Sequence, residues 1–176
     1  MNYNDLQKVF WQVAADSTSS LIANPDKFIR WKYPVDGQPD WKITDNIIFL
    51  NTSEQNDDYG KQINSEFKTE NSTVMRYMAR TRVWQVLFTV YGPNSYDIAN
   101  SIKNGVFTQK IHDNLSKNSV FLVPNLPVCV QSNEMFAGQW WQRWDLALTF
   151  NELYELQPDD VGHIESITLS LQANRR

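Results

Sequence analysis

The residues that could do chemistry are few and scattered. His112 and His163 are the only histidines and Cys129 is the only cysteine. A zinc site needs several His, Cys or carboxylate ligands at spacings such as HExxH or CxxC. Neither histidine has such a companion, and Cys129 has no nearby histidine to activate it as a nucleophile. No GxSxG elbow precedes a helix, and the six glycines form no GxGxxG or phosphate-binding loop. Glu152, Glu155, Asp159 and Asp160 could supply paired carboxylates for general acid–base work. Such a run is expected instead as a solvated strand end and turn, and Cys129, between Val128 and Val130, as a small buried apolar residue. An enzyme is the least expected class, and no metal or cofactor is expected.

The residues that stand out are suited to contact rather than catalysis. From Gly138 to Asn151 the chain reads Gly-Gln-Trp-Trp-Gln-Arg-Trp-Asp-Leu-Ala-Leu-Thr-Phe-Asn. With a period of two, Trp140, Trp144, Leu146, Leu148 and Phe150 share one face, which predicts a central, half-buried strand. Trp141 and Arg143 fall on the opposite face, and both are residue types enriched at protein contacts. They are expected at a subunit interface or on an ordinary surface. A sugar- or base-stacking platform would need a basic groove, and none is evident.

The elements that must position these residues follow from patterning. With 176 residues, 41% hydrophobic and 13% aromatic, the chain is expected to form a single domain over 1–176 with a real core. A net charge of −4 without a basic run argues against nucleic acid as a specific ligand. With no signal-like N-terminus and no long apolar run, a soluble chain made in the host cytoplasm, away from membranes, is expected. A first helix is predicted from Asn4 to about Ala23, with Asn4 as cap and Leu6, Val9, Phe10, Val13, Ser17 and Leu21 as its stripe. Strands are expected at Phe28–Trp31 and Ile43–Asn51.

Residues 52–72 are polar and include Asp57, Asp58 and Tyr59. This stretch is expected as a surface loop, or as an arm that orders as a hairpin against a neighbouring chain. Thr73 to Tyr91 reads as one long bent strand or as two strands joined at a bulge near Arg80, with Trp84, Val86, Phe88 and Val90 inward. Arg76, Arg80 and Arg82 suggest that its first half projects beyond the core. Gly92-Pro93-Asn94-Ser95 starts a second helix running to about Gln109, with a further helical turn over Ile111–Lys117. Short extended pieces surround Pro124 and Pro127, and a last strand is predicted from His163 to Leu171. The fold class is α+β: a mainly antiparallel sheet with helices packed on one face and a long polar arm or loop.

Three blocks carry a family resemblance: VLFTVYGPNSYDIANSIKNGVF (Val86–Phe107), GQWWQRWDLALTFNE (Gly138–Glu152) and IESITLSL (Ile164–Leu171). With the weaker FIRW (Phe28–Trp31), they resemble the phage neck and tail terminator proteins. The resemblance implies a virion structural protein forming a homo-oligomeric ring, a hexamer, at the head-proximal end of the tail. It would stop polymerisation of the tail tube protein and, in contractile tails, of the sheath protein. It would also meet the head-completion or connector proteins and let DNA pass through its lumen without specific binding. A head–tail adaptor or minor tail protein is the nearest alternative, and an aromatic-face ligand-binding module a remote one. A ring needs two different adhesive faces on each subunit. Trp141, Arg143, Arg76, Arg80, Arg82, Asp57, Asp58 and Tyr59 are the candidate contributors.

Overall fold

The computed structural model describes residues 1–70, 73–125 and 127–161. Helix α1 (Tyr3–Ser17) is capped by Asn2, whose side chain accepts the Asp5 N–H at 2.9 Å. The cap is thus the asparagine two places before the expected one. The helix also stops six residues short of Ala23. Thr18 Oγ1 donates to the Ala14 carbonyl and Ser19 Oγ to that of Asp16, so hydroxyls compete for the terminal backbone groups. Leu21 is consequently exposed, and Ile22 takes its place in the core.

A single helical turn, α2 (Pro25–Phe28), leads into β1 (Ile29–Trp31), which pairs in parallel with β2 (Ile47–Glu54). After a one-turn helix α3 (Asp58–Lys61), β3 (Ile63–Glu70) pairs antiparallel with β4 (Thr73–Tyr91). Where the sequence allowed a loop, the chain forms the outer strand of a ribbon. Helices α4 (Ser95–Gly105) and α5 (Gln109–Lys117) follow, and the second predicted helix therefore ends four residues early. Gly105 lies against α1: a Cβ there would stand 2.6 Å from Ser17 Oγ, so only glycine permits that approach.

The remaining strands are β5 (Val120–Leu122), β6 (Val130–Gln131), β7 (Glu134–Phe136), β8 (Gln139–Trp141), β9 (Arg143–Glu155) and β10 (Asp159–Asp160). The main sheet runs β1-β2-β4-β9-β5, with β3 and β10 added along β4 and β6 along β9. All pairings except β1–β2 are antiparallel. The β4–β9 register is unbroken from Ala79↔Glu155 to Tyr91↔Arg143, so no bulge occurs near Arg80. The α+β class holds, with a mostly antiparallel sheet. The predicted strand His163–Leu171 lies outside the described residues.

The core sits between α1, α4 and α5 and one face of the sheet. Phe10, Phe88, Phe150, Ile98, Leu146 and Leu148 are fully buried there. Each such side chain contributes about 1.5–3 kcal/mol by leaving water. The opposite face is covered at one end by Trp41, which meets Phe49 edge-on with ring centroids 5.2 Å apart.

Candidate assembly surfaces

Strand β4 carries two dissimilar environments. From Val83 to Val90 its residues are buried apart from Gln85 and Leu87, whereas none is buried from Thr73 to Arg82. The three arginines sit on that first half, on the side continuous with Trp84, Val86 and Phe88. They differ in what they touch.

Arg82 is held within the chain. Its guanidinium donates to both carboxylate oxygens of Glu152, at 3.0 and 2.8 Å, and its plane stands 4.0 Å from the Tyr154 ring centroid. Glu152 is completely buried, contrary to the solvated strand end expected for it. It also accepts the Trp84 indole N–H at 2.8 Å and lies 3.2 Å from the Met1 amino nitrogen. A buried carboxylate survives only with its lone pairs satisfied, and here four donors converge on it.

Arg76 is more open and forks onto Asp159 of β10, which joins the end of the described chain to the outer part of β4. The hydrogen bonds from Arg76 hold the Asp159 carboxyl below its usual range and raise the Arg76 pKa in turn. Arg80 has no carboxylate within ion-pair distance among the described residues; its guanidinium lies 5.8 Å from the Tyr154 ring centroid. Opposite Arg80 and Arg76 on β3 stand Ile63 and Phe67, 57% and 60% exposed. Alternate residues of the ribbon therefore present an apolar face bearing arginines. The reverse face holds Asn64, Glu66, Lys68 and Glu70.

Asp57, Asp58 and Tyr59 fall between β2 and β3, with Asp58 and Tyr59 in α3. Asp58 accepts from Lys61 on its own turn, and the Gly60 N–H donates to the Asp57 carbonyl. The structure does not bring this group to Trp141 or Arg143, which lie at the other end of the sheet.

At that other end, β7 and β8 form a small hairpin separate from the main sheet, closed by Ala137 and Gly138, both at positive φ. That pair of left-handed residues is the geometry of a tight two-residue turn. Because the hairpin leaves the sheet before β9 begins, the alternation read through Gly138–Asn151 breaks at Gln142. Trp144, Leu146, Leu148 and Phe150 keep their predicted side. Trp140 does not: it is 64% exposed, beside Met135 across the hairpin. The sequence placed Trp140 in the core, and the hairpin's departure removes the cover it would have had. The signal was present as Gly138 and as the polar break at Gln142.

Trp141 faces inward from the same hairpin and is half-buried. Its ring meets Trp41 edge-on at 6.0 Å and Phe136 at 6.2 Å. With Asp40, Tyr91 and Glu134 these rings line a cleft of about 340 Å³. The buried indole nitrogens of Trp41 and Trp141 have no hydrogen-bond acceptor among the described residues. Arg143, beside Tyr91, forms ion pairs with Glu134 and with Asp145, the latter at 2.9 Å. Burial acts against the charged Arg143, but the Asp145 carboxylate outweighs it and leaves the guanidinium pKa raised. Burial and the hydrogen bond to Glu134 push Tyr91 up to about 12.

No described group of three or more His, Cys, Asp or Glu is placed to hold a metal ion. Cys129 is half-buried against the core, and burial raises its pKa, the opposite of a reactive thiolate. No described helix is long and apolar enough to cross a membrane.

The family model described as phage neck terminator protein matches residues 4–174. The chain belongs to the phage neck terminator family. No curated protein sequence matches it. Family membership makes it a structural protein of the phage tail and neck, located in the virion and associated there with other tail or head proteins. Among the described residues, two ribbons carry exposed large apolar side chains, β3–β4 and β7–β8.

Proposed function

We propose that the chain assembles with copies of itself into a ring, a hexamer in the simplest case, at the head-proximal end of the tail tube. The ring ends tube polymerisation, and sheath polymerisation in a contractile tail, and joins the tail to the head connector. What supports this reading, beyond the family, is that two different adhesive regions sit at opposite ends of β4. One is the arginine-bearing ribbon and the other is the aromatic cleft with its exposed hairpin. A subunit with two unlike faces adds copies head to tail, and such contacts form a ring when the rotation between copies closes. The net charge of −4 suits a DNA conduit, because a lumen that bound phosphate strongly would hinder passage.

The test is co-sedimentation with purified tail tubes and, separately, with head connectors, followed by imaging of the bound ends. A ring capping one end of the tube is expected. Binding to connectors with no affinity for tubes would instead assign the chain as a head–tail adaptor. A ring interior lined with Lys and Arg would refute the conduit argument.

A further inference from the structure

The cleft and the ribbon face described above complement each other. The cleft has aromatic walls, Trp41, Trp141, Phe136 and Tyr91, and two carboxylates at its rim, Asp40 and Glu134. Glu134 already pairs with Arg143, which also pairs with Asp145, so Asp40 is the cleft carboxylate without an ion-pair partner among the described residues. Aromatic faces beside carboxylates attract a cation carried on an apolar stem, and arginine most of all. The ribbon offers that combination: Arg80 without a described carboxylate partner, with exposed Ile63 directly across from it and exposed Phe67 four residues along the same face of β3.

The two cannot meet within one chain. Arg80 and Tyr91 are eleven positions apart on the same continuous strand. At ~3.3 Å per residue this separates them by about 36 Å. The occupant must come from another molecule, and the chain itself supplies the matching chemistry.

We infer that the Arg80 face of the β3–β4 ribbon in one copy seats in the Asp40–Trp41–Trp141 cleft of the next. This inference rests on the ring reading and specifies its contact. In this arrangement the Arg80 guanidinium lies over the indole rings and pairs with Asp40, while Ile63 and Phe67 cover the aromatic rim. The outer edge of β3 pairs only with β4 among the described strands and so is open to take part in the contact. The contact is directional, so each copy gives its ribbon to one neighbour and its cleft to the other.

A charge swap tests the contact. The purified full chain, Arg80→Glu, Asp40→Arg and the double variant are compared by native mass measurement across a concentration series, alone and with tail tubes. Thermal melts confirm that each variant folds. Each single variant is expected to raise the concentration needed for assembly at least about tenfold, because like charges then face each other across the interface. The double variant is expected to recover most of that loss. Singles that assemble like the unaltered chain, or a folded double variant that recovers nothing, would overturn this contact while leaving the ring intact. An unaltered chain that stays monomeric under both conditions would overturn the ring reading and this contact together.

Discussion

The two halves of β4 share one backbone geometry and differ in everything else. From Val83 to Tyr91 the strand lies between β2 and β9 beneath three helices, and its inward side chains are fully enclosed. From Thr73 to Arg82 it is flanked by β3 and by β10 or the end of β9, with no residue buried. The first environment accounts for folding. The second, although paired on both edges, buries no residue and gains little stability from leaving water. On the proposed reading, the face of that ribbon bearing Phe67, Ile63 and Arg80 is the surface that meets a neighbour.

If the halves divide the work in this way, substitutions should sort by position. The largest effect belongs in the core half. Phe88→Ala should cost about 3–5 kcal/mol, read as a large fall in melting temperature, and should reduce assembly only by unfolding the subunit. A cost under about 1 kcal/mol would show that Phe88 is not an organising residue. Next comes the junction of the two halves, where Glu152 holds Arg82 and Trp84. Glu152→Ala leaves a half-buried guanidinium without its partner and should cost about 3 kcal/mol, measured by denaturant unfolding. If Arg82→Met restores much of that loss in the double variant, the penalty comes from the stranded charge rather than from lost packing.

That junction also shows where sequence reading stops. The strand-like run from Thr73 to Tyr91 located β4, and clean alternation in its second half placed Trp84, Val86, Phe88 and Val90 inward, because those residues answer to a local period. Glu152 gave no such cue. Its burial depends on an arginine 70 positions away, so it resembled its solvated neighbours Glu155 and Asp160. Trp140 was misplaced for a related reason: its strand phase was extended through Gln142, although the hairpin had left the sheet by then. The polar composition of residues 63–70 gave no strand period to read, and their order comes from backbone pairing with β4. Trp141 and Arg143 were singled out together and do lie together, around Glu134, but Trp141 is half-enclosed by Trp41 and Phe136. The more accessible aromatic of that hairpin is Trp140.

Trp140→Ala should therefore leave unfolding within about 0.5 kcal/mol of the unaltered chain yet weaken assembly. Loss of the cooperative melt would return Trp140 to the core. Trp141→Ala should also impair assembly, with a larger folding cost than Trp140→Ala because of the rings it meets. The smallest expected effect is on the ribbon's own order. The Asp159 carboxyl is held below its usual 3.8 by Arg76, so its contribution is present above that pH and is lost as pH falls further. Amide exchange at Val161, whose N–H donates to the Val74 carbonyl, should accelerate below pH 3.8 relative to the intrinsic rate of an unprotected amide at the same pH. Unchanged exchange there would mean that the ion pair does not fasten β10 to the ribbon.

The most direct test of the division between a folding half and an assembling half is the native mass of the purified chain, alone and bound to tail tubes. The account predicts a closed particle whose mass is a whole multiple of 20.6 kDa in at least the tube-bound state. A folded 20.6 kDa monomer under both conditions would contradict it.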